Sequence, residues 1–233
     1  MLFLHITTRI EGRKDDSLLT TVGGRGFPHL VAMDAEGKVI ATLEGDRTAE
    51  GFRAMMKQGS DFVDLRTRVE KGDTAAQADF FIQALKFKHF KIDAARKYQA
   101  GLKKVTPDQK KTIDGLIVGM EVQELLAPLY TLKDRSKGKE MQIDLGRKFW
   151  QMHEHGRVPT QDDDVGPFYS FALLFAEAEK NIIAFEKSLE ALKAHFGDKI
   201  RQEFVRAKEE ILEKMKAEKE EKKEDKKEEP KDK

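Results

Sequence analysis

Two hydrophobic periods divide the chain. Up to about residue 57, apolar and β-branched residues come in short runs between turns rich in glycine and aspartate. From Ser60 onward they recur every three to four positions. In the first part, residues 2–8 read as a strand, Ser17 is placed to cap a short helix over residues 18–22, and Gly23-Gly24-Arg25-Gly26 breaks the chain. Residues 30–33 and 39–43 read as two more strands, joined by the tight Asp34-Ala-Glu-Gly37 turn into an antiparallel hairpin. Thr48 opens a helix over residues 49–57, with Glu50 near its positive end and Phe52, Met55 and Met56 as its apolar stripe.

The rest of the chain reads as helices. Phe62, Leu65 and Val69 mark a short one ended by Gly72, and Phe80, Phe81, Ala84 and Leu85 another that starts at Thr74. Ile92, Ala95, Tyr98 and Leu102 mark the next. Thr106-Pro107 then starts a helix through Leu126, which Pro128 kinks or ends. Further helices are centred on Phe149-Trp150, on residues 168–178 behind an Asp162-Asp-Asp164 cap, and on residues 182–192, closed by Gly197. Short polar links between them imply antiparallel helical hairpins. Residues 93–107 faintly resemble the second helix of a tetratricopeptide unit, without a clean repeat. A last amphipathic helix over residues 199–216 runs into a tail, 216–233, of eight basic and eight acidic residues, which has no apolar face and reads as a solvated extension or disordered.

The stretch Gly24-Arg-Gly-Phe-Pro28-His-Leu-Val-Ala-Met-Asp34-Ala-Glu-Gly37-Lys-Val-Ile40, followed by Glu44-Gly45, resembles the C-terminal half of a thioredoxin-like domain: a proline loop, a strand, an Asp-x-x-Gly hairpin, a strand, a glycine and a final helix. The resemblance implies an α+β fold, a partial thioredoxin-like sheet of about three strands with two helices, followed by an all-α helical-hairpin domain. The boundaries it implies are 1–59 for the thioredoxin-like part, 60–197 for the helical domain, and 198–233 for a charged helix and disordered tail. It implies that Pro28 is the family's cis-proline and that Gly26, Phe27, Pro28 and His29 form a polypeptide-binding loop. His29 departs from the family's threonine, and the Cys-x-x-Cys half has no counterpart.

Composition then narrows the chemistry. With no cysteine among 233 residues, thiol–disulfide exchange and thiolate zinc sites are excluded for this chain. With 43 Lys and Arg against 42 Asp and Glu, the chain lacks the basic surplus that nucleic acid demands. The Gly23–Gly26 run leads from a helix into a strand, the reverse of a phosphate loop. His153 and His155 stand two apart, so a helix points them about 200° apart and they cannot grip one metal ion. Phe80, Phe81, Phe87, Phe90 and Tyr98 read as core rather than as a base-stacking platform. No nucleophile with a base and an orienter is visible, so no catalytic residue, metal or cofactor is assigned.

The function these readings imply is a redox-inactive, thioredoxin-like protein that binds polypeptide or serves as a scaffold or chaperone-like module. Its partner is protein or peptide, with no nucleic acid and no membrane, and its oligomeric state is open. The alternatives are a thiol–disulfide oxidoreductase truncated at its N-terminus, with Met1 not the true start, and a glutathione-transferase-like enzyme. As written the chain is expected in the cytoplasm. An upstream N-terminus would move it to the periplasm or outside the cell.

Overall fold

The structure, a computed structural model, describes residues 18–24, 26, 28–132 and 138–228. The chain forms two compact units, Met1–Ile113 and Asp114–Lys233.

Among the described residues the first unit comprises α1 (Leu18–Thr21), then β1 (Val31–Met33) and β2 (Val39–Thr42), then α2 (Ala49–Glu70), α3 (Gln77–Lys86) and α4 (Ile92–Ala100). The strands pair antiparallel, Val31 opposite Thr42 and Ala32 opposite Ala41, with a bulge before Met33 meets Val39. Asp34 organises the turn. Its carboxylate accepts from the amides of Lys38 at 2.9 Å and Glu36 at 3.2 Å, and from Arg66 on α2 at 2.7 Å. The helix thus clamps the turn of the hairpin it covers. Thr48 caps α2 by accepting from the Gly51 amide at 3.1 Å. Beneath the hairpin, buried Phe62 stacks on Phe80 at 5.4 Å and meets Phe87 edge-on, while Phe81 stacks on Tyr98 at 4.6 Å.

The expected α+β architecture does not form. Among the described residues the β structure is this two-stranded hairpin, and the rest of the ordered secondary structure is helical. The third strand, expected over residues 2–8, lies outside the described residues. Beyond the hairpin, the expected helix over residues 49–57 and the one marked by Phe62 to Val69 are a single helix, α2. Gly59 does not break it, because it sits where the helix crosses the hairpin, and a Cβ placed there would touch Ile40 and Ala41 at 3.5–3.6 Å. The aspartate and glycine signals that make this hairpin are local, and they carry no information about how many strands join it.

The second unit contains most of α5 (Pro107–Tyr130), then α6 (Gly138–Glu154), α7 (Asp162–Ala178), α8 (Ile182–Phe196), a 3-10 turn over Gly197–Lys199, and α9 (Gln202–Glu228). Pro128 lies inside α5, which ends two residues later. Val122, Leu126, Phe149, Phe168, Leu173 and Phe185 are the centre of one apolar cluster. Glycines let these helices close on each other. A Cβ on Gly146 of α6 would lie 2.0 Å from the carbonyl oxygen of Phe171 on α7. A Cβ on Gly119 of α5 would lie 2.3 Å from Asp164.

Several helices end in the same backbone motif, in which the residue after the cap turns left-handed so that two amides bond back to the last turn. After α3, Lys88 N–H bonds Leu85 O and His89 N–H bonds Ala84 O, with Lys88 at φ +60°. After α7, Lys180 N–H bonds Glu177 O and Asn181 N–H bonds Ala176 O, with Lys180 at φ +52°. Gly72 and Gly156 fill the same position after α2 and α6 without a side chain to strain.

Candidate functional site

The loop singled out in the sequence leads directly into β1. Gly26 and Pro28 are exposed on it. Phe27 lies outside the described residues. His29 turns inward: its Nε2 donates to the Val22 carbonyl at 3.3 Å, and its ring sits over Gly24, where a Cβ would fall 2.8 Å from it. Gly23 and Gly24 therefore close the end of α1 and make room for the imidazole. They do not cradle an anion. Of the four expected residues, two are presented to solvent, while His29 serves to hold the loop.

The edge of the strand that follows is asymmetric. In an antiparallel ladder, backbone groups point alternately toward the partner strand and away from it. Leu43 N–H bonds Leu30 O at 2.9 Å and Asp34 N–H bonds Lys38 O at 3.0 Å, which fixes the phase. Thr42 and Val39 on β2, and Val31 and Met33 on β1, accordingly face outward. On β2 one group of each residue is taken up. Gln58 Oε1 accepts from Thr42 N–H at 3.1 Å, and His89 Nε2 donates to Val39 O at 2.5 Å. On β1, no partner for the outward N–H and C=O of Val31 and Met33 is present among the described residues. The side chain of Met33 is 39% exposed beside that edge, and Phe52 and Met56, one turn apart on α2, are 40% and 61% exposed. The arrangement offers an extended segment two rungs of hydrogen bonding and a deformable apolar neighbour.

The second unit holds a polar cluster that the sequence does not announce. His153 stacks on Trp150 at 4.8 Å, and its Nδ1 shares a hydrogen bond of 3.0 Å with the hydroxyl of Tyr169, which reaches it from α7. Burial, reinforced by the positive charge of Lys187, holds His153 below its ordinary value of 6.5 and so neutral; Glu154 opposes this. Burial also pushes the Tyr169 phenol up to about 12. His155 is directed elsewhere, with Nδ1 2.7 Å from the Gln151 carbonyl. The two imidazoles do not converge, and among the described residues no three His, Asp or Glu come together in a way that holds a metal ion. The neutral imidazole bonded to the protonated phenol ties α6 to α7. The sequence gives no sign of it, because the partners stand sixteen residues apart on different helices.

No helix among the described residues is long and apolar enough to cross a membrane. No protein-family model, no curated protein and no solved structure matches this chain.

Proposed function

We propose that this chain is a polypeptide-binding scaffold that takes an extended segment along the outer edge of β1. The observation that carries the reading is the unequal treatment of the two edges of one hairpin. Two side chains, Gln58 and His89, each occupy one outward backbone group of β2, Thr42 N–H and Val39 C=O, whereas the outward backbone of Val31 and Met33 has no partner among the described residues. Edge strands left open are templates for another chain, and strand addition of this kind draws affinity from main-chain bonds and selectivity from neighbouring side chains. Met33 supplies a flexible apolar neighbour, and the exposed Gly26 and Pro28 frame the approach.

The test is a titration of the isotopically labelled full chain with extended decapeptides rich in Val and Thr, followed by amide resonances and hydrogen exchange. The expected result is perturbation centred on residues 28–34 and slowed exchange at Val31 and Met33. Val31→Pro removes one outward N–H without touching the bonds between β1 and β2, a position where proline is tolerated in edge strands, and binding then falls at least tenfold. Perturbation that avoids β1, or undiminished binding by Val31→Pro, overturns the reading.

A further inference from the structure

The helices of the second unit are not joined alike. Between α6 and α7 the backbones nearly touch at Gly146, and Phe149 stacks on Phe168 at 5.0 Å. The last helix is held differently. Its buried apolar anchors are Val205, Leu212 and Met215, with Phe204 and Ile211 partly covered beside them. Around this narrow seam stands a set of charge pairs that all join α9 to α7, α8 or the turn between them. Lys193 meets Glu209 at 2.8 Å, Lys216 meets Glu186 at 3.1 Å, Lys208 meets Glu177 at 3.4 Å, and Lys180 meets Glu218.

The order of these pairs runs backward along α8 as it runs forward along α9, so the two helices lie antiparallel. The carboxylates are roughly half exposed, with side-chain exposures of 43–52%. Dissolved ions therefore reach them, and such pairs are screened as salt rises. Lys208 also lies over the ring of Phe185, 5.9 Å from its centroid. The connection back to α8 is short, residues 197–201, and begins with Gly197 at φ +50°.

From this contrast we propose that α9 is a releasable strap: an ionically latched cover over the apolar cluster of the second unit, able to lift while α6, α7 and α8 stay folded. Lifting uncovers Phe185 and the surface against which Leu212 and Met215 pack. The occupant of that surface in the closed state is this chain's own α9, and ionic strength sets how often it is vacated. Lys180 has a double role here, because it holds the left-handed position that ends α7 and also supplies the cation of the latch nearest the C-terminal end of α9.

Hydrogen exchange of the full chain, read by mass spectrometry, tests this directly. Amides of residues 205–216 are expected to exchange about tenfold faster than those of Asp162–Ala178. Raising NaCl from roughly 0.05 M to roughly 0.5 M, which shortens the screening length severalfold, speeds the α9 amides a further two- to fivefold and leaves α7 unchanged. Lys216→Glu, which sets like charges against Glu186, speeds α9 exchange alone, and adding Glu186→Lys restores it. A single exchange rate for α7 and α9, indifference to salt, or failure of the charge swap to restore protection overturns the proposal. A variant that loosens α7 and α9 together does the same.

Discussion

Two glycines inside helices make opposite predictions, and the difference lies in what stands next to each. Replacing Gly146 by alanine puts a methyl carbon 2.0 Å from the Phe171 carbonyl oxygen and 2.8 Å from Phe175 Cβ. Both obstacles belong to the backbone or its first carbon, so neither swings aside. Restoring ordinary contact at about 3.4 Å takes a displacement of roughly 1.4 Å between α6 and α7, against stacking between Phe149 and Phe168 that is already at 5.0 Å. Overpacking of this kind costs about 1–3 kcal/mol and more when backbone must move, and the better helix propensity of alanine returns only about 0.5–1 kcal/mol.

The expected net loss for Gly146→Ala is about 2 kcal/mol, a drop of roughly 6–12 °C in melting temperature for a unit of this size. Gly59→Ala meets only Ile40 and Ala41 at 3.5–3.6 Å, so it keeps the propensity gain of about 0.5–1 kcal/mol. The chain's one tryptophan, Trp150, is buried four residues from Gly146, and its emission during urea denaturation reports the second unit. Far-UV circular dichroism melts report Gly59→Ala. A neutral or stabilising Gly146→Ala, or a Gly59→Ala that loses more than about 1 kcal/mol, would refute the geometric argument.

Three further outcomes are expected. Burial works to raise the carboxyl of Asp34, but the Arg66 hydrogen bond and the turn amides outweigh it and hold it below its ordinary 3.8. Its contribution is therefore present above pH 3.8 and lost as pH falls through the lowered value, so Asp34→Asn flattens the acid limb of a thermal stability profile between pH 5 and pH 2. Tyr169, raised by burial from 10 to about 12, contributes stability that is complete below pH 10 and lost as pH climbs toward 12, worth roughly 2–3 kcal/mol at 1.36 kcal/mol per unit. Denaturation midpoints of Tyr169→Phe are thus flatter in alkali than those of the parent. Lys88→Gly relieves a left-handed lysine at φ +60°, and calorimetry is expected to show a gain of about 0.5–1 kcal/mol after the added chain entropy of glycine is subtracted.

What the sequence discloses follows the range over which each signal acts. The hairpin is legible because Asp34 and Gly37 act within four residues, and the structure shows Asp34 bonding the turn amides itself. The start of α5 is legible from Thr106-Pro107, where proline's missing amide costs nothing. The separation expected between the helix over residues 49–57 and the one marked by Phe62 to Val69 does not occur, and Gly59, in the stretch between them, is a place of close approach to the hairpin. The loop at Gly26 and Pro28 is found by resemblance alone. The asymmetry beside it, an edge of β1 without partners among the described residues, is invisible in sequence, since the bonds made to β2 come from Gln58 and His89, the latter fifty residues from the strand it caps.

The bulge between Ala32 and Met33 and the charged clamp at Asp34 end β1 after three residues. On the function proposed above, a template this short would seat one guest and then stop. It would give a visiting chain no long flat surface on which a second visitor could stack, so strand addition there would not go on to seed a fibre.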